Sequence, residues 1–120
     1  MSFFWVFLGG GLGSICRYGI AKLLANQAYT FPWATLLANI LACIILGYLV
    51  AMNAKGLLKP SMQYLLMTGF CGGFSTFSTF AYENFALLEN GMTNHAIGNI
   101  ALSLLLGLGG IYLGLKLGGL

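Results

Sequence analysis

Charge is nearly missing from this chain: 6% of its 120 residues are Asp, Glu, Lys or Arg, against about 25% in an ordinary soluble domain. So few charges cannot cover a water-facing surface. The five Lys and Arg residues form no run, which excludes a nucleic-acid-binding face. Cysteine is also scarce. Cys16, Cys43 and Cys71 each sit in an apolar stretch without paired spacing, which argues against a disulfide framework or a zinc site. They read as thiols that pack like small apolar residues. The single histidine, His95, stands alone in a polar segment, so no nucleophile–base pair marks an enzyme.

Apolar sequence is abundant: 59% of residues are hydrophobic and the mean hydropathy is +0.90. A membrane-spanning helix needs about 20 mostly apolar residues, and four stretches qualify, at about 3–25, 33–52, 61–88 and 96–117. Asn26-Gln27 with Phe31-Pro32, then Asn53 to Pro60, then Asn90-Gly91 separate them. The expected fold is an all-α integral membrane protein, one transmembrane domain over residues 1–120, in contact with membrane lipid. The first stretch lacks a basic leader region and an A-x-A cleavage site, so it reads as a retained helix.

Four crossings put both termini on one side with Lys55, Lys59 and Lys116. The other side holds Lys22, with Arg17 if that residue reaches the interface. This bias under the positive-inside rule is small, which is compatible with insertion both ways round and an antiparallel homodimer. Gly9 with Gly13, and Gly110 with Gly114, are GxxxG pairs and read as helix-packing faces.

The third stretch is unusual. Gly72-Gly73 is followed by Ser75, Thr76, Ser78 and Thr79, interleaved with Phe74, Phe77 and Phe80. Paired glycines weaken a helix by about 1 kcal/mol each relative to alanine, and unpaired backbone groups in hydrocarbon each cost several kcal/mol. Hydroxyls bonding back one turn would merely bend the helix. Gly-Gly with four hydroxyls favours a mid-membrane break instead, with carbonyls exposed near Gly72 and Ser75. Phe77 and Phe80 then share one face, and a ring edge, the positive end of its quadrupole, can stabilise an anion without holding it tightly.

Other intramembrane polar groups fall on stripes. Thr35 and Asn39 share a face of the second helix, and Asn99, Ser103 and Gly107 a face of the fourth. Asn39 is either a hydrogen-bond donor in a pathway or a link between helices. Glu83 is an intramembrane acid, a functional candidate by type, or an interfacial one. Arg17 is open between attracting anions at a vestibule and anchoring its helix. Lys22 and Lys116 read as snorkelling residues.

These residues resemble the CrcB-type (Fluc) fluoride channels. Gly69 to Phe80, with Glu83 beyond it, is similar almost residue for residue to that family's third-helix motif, and Gly9-Gly10, Gly13, Arg17-Tyr18, Thr35-Leu36, Asn39 and Gly47 match its first- and second-helix patterns. The resemblance implies a dual-topology antiparallel homodimer in the bacterial plasma membrane, with two pores lined by both subunits. It implies that Phe77 and Phe80 face fluoride, Asn39 donates beside the path, and Thr76, Thr79, Ser103 and Glu83 form a polar track. It places Arg17 at a vestibule and a structural Na+ on the carbonyls of Gly72 and Ser75. Ser75 stands where threonine is common, and Ala34 and Ala42 where glycine is usual. Asn99 stands where tyrosine is frequent, and Gly107 where a hydroxyl is.

The implied function is passive, fluoride-selective efflux from the cytoplasm, which reduces fluoride toxicity without catalysis. The competing reading is a small dual-topology proton-coupled multidrug-type transporter. Such an exporter typically carries its coupling glutamate in the first helix, and this chain has no acid there.

Overall fold

The computed structural model describes residues 1–25 and 31–120, and every regular element among them is helical. The polar break expected at Asn26-Gln27 lies outside the described residues. Three uninterrupted helices are long and apolar enough to cross a membrane: α1 (Ser2–Leu24), α2 (Trp33–Ala54) and α6 (Thr93–Leu117). At 1.5 Å per residue each is about 33–38 Å long, enough for a hydrocarbon core of about 30 Å.

Between α2 and α6 the chain runs through a helical turn α3 (Pro60–Met62), a π-helical segment (Gln63–Cys71) and a second turn α4 (Gly72–Phe74). Two extended residues interrupt it before α5 (Phe77–Glu89). Pro60 begins this series where a helix has no use for its N–H. Gly56 and Gly91, at φ 74° and 76°, end α2 and α5 in the left-handed region. There the N–H groups of Leu57 and Met92 close back on the Met52 and Leu87 carbonyls at 3.1 and 2.8 Å.

Glycine sets how closely the helices pack. α1 lies along the π-helical segment so tightly that a Cβ on Gly9 would strike the Leu65 carbonyl, and one on Gly13 the Phe70 carbonyl. Gly73 meets the Gly10 carbonyl in the same way. α2 and α6 form the second pair, with Gly47 against the Ile111 carbonyl and Gly114 against the Ile44 carbonyl. Where lipid is the solvent, such van der Waals contact drives association in place of the hydrophobic effect. Ala38, Ala42 and Phe74 form a small buried core between the pairs, flanked by Ile20, Leu41, Ile45 and Phe70.

The outward faces remain apolar: Phe3 is 90% and Leu105 69% exposed. A lone exposed leucine needs no explanation, but whole apolar faces on α1 and α6 do. Such faces suit lipid as the solvent and accord with a multi-pass, all-α membrane protein.

Candidate functional site

The interruption falls at Ser75 (φ −86°, ψ 157°) and Thr76 (φ −151°, ψ 121°). Gly72 and Gly73 remain helical: Gly73 serves close packing on α1, a Cβ on Gly72 would meet nothing within 4 Å, and the break follows the pair. Ser75 stays tied to the preceding turn, since its N–H and its hydroxyl both donate to the Cys71 carbonyl, at 3.1 and 2.9 Å. Thr76 turns away. Its N–H donates to Asn39 Oδ1 at 2.9 Å, and its carbonyl accepts from Asn39 Nδ2 at 3.3 Å. One side-chain amide on α2 therefore pairs both peptide groups of Thr76, which a break would otherwise strand in hydrocarbon. Asn39 keeps one further N–H hydrogen.

Thr76 also caps α5, its Oγ1 accepting from the Thr79 N–H at 3.3 Å. With Thr76 N–H on Asn39 and Thr79 N–H on this hydroxyl, the N–H groups of Phe77 and Ser78 are the remaining orphan donors of the first turn. The positive end of the α5 dipole lies at the break.

A cavity of about 310 Å³ opens beside it, lined by Asn39, Ser75, Thr76, Phe77, Phe80 and Ser103, with Cys43, Leu104 and Gly107. The structure thus gathers five of the pathway residues named from sequence: Asn39, Thr76, Phe77, Phe80 and Ser103. The Phe77 and Phe80 rings stand 6.1 Å apart between centroids, inclined at 46°. Every lining side chain is neutral. An anion here would meet hydroxyl, amide and aromatic groups rather than a full positive charge.

The other candidates sit elsewhere. Thr79 and Glu83 lie further along α5, outside this lining. Glu83 Oε2 accepts from the Thr35 hydroxyl at 3.0 Å. Its Oε1 is buried with no hydrogen-bond partner among the described residues. Two hollows of about 330 and 190 Å³ share Glu83, Phe31 and Pro32. Arg17 donates through Nε to the Gly73 carbonyl at 3.2 Å, tying α1 to the turn before the break. Gly72 lines an adjoining cleft of about 170 Å³ with Ala42, Met67 and Cys71, which shares Ser75 and Cys43 with the cavity beside the break.

One pairing was not anticipated. Asn84, from α5, and Asn99, from α6, are both buried, and Asn99 Nδ2 donates to Asn84 Oδ1 at 2.8 Å. Ser103 Oγ then donates to Asn99 Oδ1 at 3.3 Å. The stripe of Asn99 and Ser103 carried half of this signal; Asn84 was visible only as a polar residue beside Glu83.

Among known proteins, the family described as CrcB-like protein, Camphor Resistance (CrcB), matches residues 4–115. The chain belongs to the CrcB family. Among similar CrcB relatives is the fluoride-specific ion channel FluC of Leptospira interrogans, 42% identical over 88% of this chain and 85% of that one. The FluC proteins of Pyrococcus horikoshii and Thermus thermophilus are 43% and 40% identical. They align with 89% and 95% of this chain, and with 87% and 92% of their own lengths. The break, its asparagine clasp and the aromatic pair all lie inside the CrcB match.

Proposed function

We propose that this CrcB-family chain is one subunit of a channel through which fluoride leaves the cytoplasm passively, lowering fluoride toxicity. The reading is carried by one observation. A break inside the third crossing gathers Asn39, Thr76, Phe77, Phe80 and Ser103 around one uncharged cavity.

Fluoride is small and strongly hydrated, so a pore must replace the water it strips away. The donors at hand are the free Asn39 N–H, the Thr76 hydroxyl and the first-turn N–H groups of α5, with aromatic ring edges beside them. A helix N-terminus at a discontinuity favours anionic charge. The absence of a cationic side chain from the lining keeps the hold loose enough for exit, as conduction requires. Thr79 and Glu83 extend the polar track beyond the cavity, and Arg17 draws anions toward its mouth with the guanidinium nitrogens that Gly73 does not use.

The active form in this reading is an antiparallel homodimer of dual topology. The small charge bias between the two sides supports it, as does Phe77, which lines the cavity yet is 79% exposed in a single chain. A second copy would cover it. A structural Na+ fits the same arrangement. The Thr76 N–H that would continue the helical ladder to the Gly72 carbonyl is taken by Asn39, and Ser75 is extended. Neutral unwound-backbone oxygens of this kind suit sodium. Bound there, the ion would supply positive charge to hold opposed carbonyls together. Replacing sodium by a large organic cation should then weaken the dimer, and an unaffected dimer would remove the ion from the account.

The function is tested by fluoride-electrode recording of efflux from liposomes that contain only this protein, with chloride as control. Rapid fluoride release with chloride retained is expected. Concentrative uptake driven by a pH gradient would support the coupled-transporter reading instead.

A further inference from the structure

We propose that the buried Asn84–Asn99 pair sets the direction of the Ser103 hydroxyl, and so decides whether this point of the cavity offers an anion a donor or a lone pair. The inference rests on the fluoride-channel reading and concerns two residues outside the cavity lining.

A serine hydroxyl has one hydrogen. In the arrangement seen, that hydrogen goes to Asn99 Oδ1, while Asn99 Nδ2 is occupied by Asn84 Oδ1. Ser103 therefore turns lone pairs toward the cavity it lines, and an anion is repelled by lone pairs. The two amides have a second arrangement of the same shape. If both turn over, Asn84 Nδ2 donates to Asn99 Oδ1, and Asn99 Nδ2 donates to Ser103 Oγ. The hydroxyl hydrogen is then free to point at the ion.

Both arrangements keep two hydrogen bonds among the three side chains, so neither strands a buried polar group. Asn99 is only 1% exposed, which keeps water from substituting for either partner. The ion interacts differently with the two arrangements, and that difference is what shifts a population. An arriving fluoride selects the donor form, and its departure restores the other. Asn84 and Asn99 are positioning residues that act through Ser103.

The test is fluoride efflux from liposomes at low fluoride for Asn84→Asp, measured alone and in a Ser103→Ala background. At a recording pH high enough to ionise the carboxylate that this substitution introduces, the new side chain accepts only, which holds Asn99 Nδ2 toward it and Ser103 in the lone-pair form. Efflux by Asn84→Asp should fall about tenfold, the scale of one hydrogen bond to a charged group. In the Ser103→Ala background the same change should cost less than about twofold, because nothing is left to orient. Equal losses in both backgrounds would show a structural or purely electrostatic role and overturn the proposal.

Should Asn84→Asp fail to yield a folded dimer, 15N-asparagine NMR of the wild-type protein decides. The Asn99 side-chain amide should shift on adding fluoride and stay put with chloride, and no fluoride-dependent shift would overturn the proposal. Wild-type protein that releases no fluoride would refute the channel reading itself, a different outcome from conducting protein whose two backgrounds respond alike.

Discussion

The two halves of the broken helical stretch, before and after Ser75–Thr76, are held by different forces. Before the break, the π-helical segment and α4 press against α1 backbone to backbone, with Gly9, Gly13 and Gly73 removing the side chains between them. After it, α5 is tied by side-chain hydrogen bonds: Thr35 to Glu83, Asn99 to Asn84, and the Asn39 clasp at its first turn. The first kind of contact tolerates no added atom. The second tolerates reorientation, because amides and hydroxyls exchange partners at little cost in shape. The first half is thereby a fixed wall, and the second an adjustable one where an ion would pass.

The contrast breaks most severely at the glycine seam. Gly13→Leu drives a side chain into the Phe70 carbonyl and the Phe74 backbone and should abolish monodisperse protein on gel filtration. Gly11→Leu, which meets nothing within 4 Å, should fold as the parent does. Next comes the clasp. Asn39→Leu leaves the Thr76 N–H and carbonyl unpaired, at about 1–3 kcal/mol each. The unfolding temperature should drop, and fluoride efflux should fall at least about tenfold. Phe80→Ile removes a ring edge but little volume, so the protein should stay folded while efflux drops sharply; an unchanged rate would discard the aromatic contribution. The smallest effect belongs to Thr35→Val, which deletes one hydroxyl donor to Glu83. It should lower stability by about 1 kcal/mol and slow efflux only a few-fold.

Parts of this architecture were readable from residue order alone. Long apolar runs announce lipid-solvated helices because a bilayer fixes the length required. Gly72-Gly73 followed by four hydroxyls favoured an interruption over the mere bend that hydroxyls bonding back one turn would give, and of the four Ser75 does make that back-bond. Its position at Ser75–Thr76 was less visible. It depends on Gly73 being needed against Gly10, and on Asn39 reaching Thr76 from 37 residues away. The π-helical winding of Gln63–Cys71 left no mark in the apolar pattern, which reads alike for neighbouring helical periods. Thr35 with Glu83 and Asn84 with Asn99 are pairings that only the relative rotation of packed helices decides. Residue order carries the polarity of each side chain but not its partner.

The account rests on the cavity beside the break being the route of the ion. Gly107 lines that cavity, and a Cβ there meets only the Cys43 sulfur, at an ordinary 3.6 Å. Gly107→Leu should fill the space without unseating α6 from α2. Fluoride-electrode recordings from liposomes carrying the parent or the filled variant measure the claim directly. The account predicts rapid fluoride release by the parent, chloride retained, and release by the folded variant reduced to the rate of protein-free liposomes. Fluoride release by the folded variant at the parental rate would contradict it.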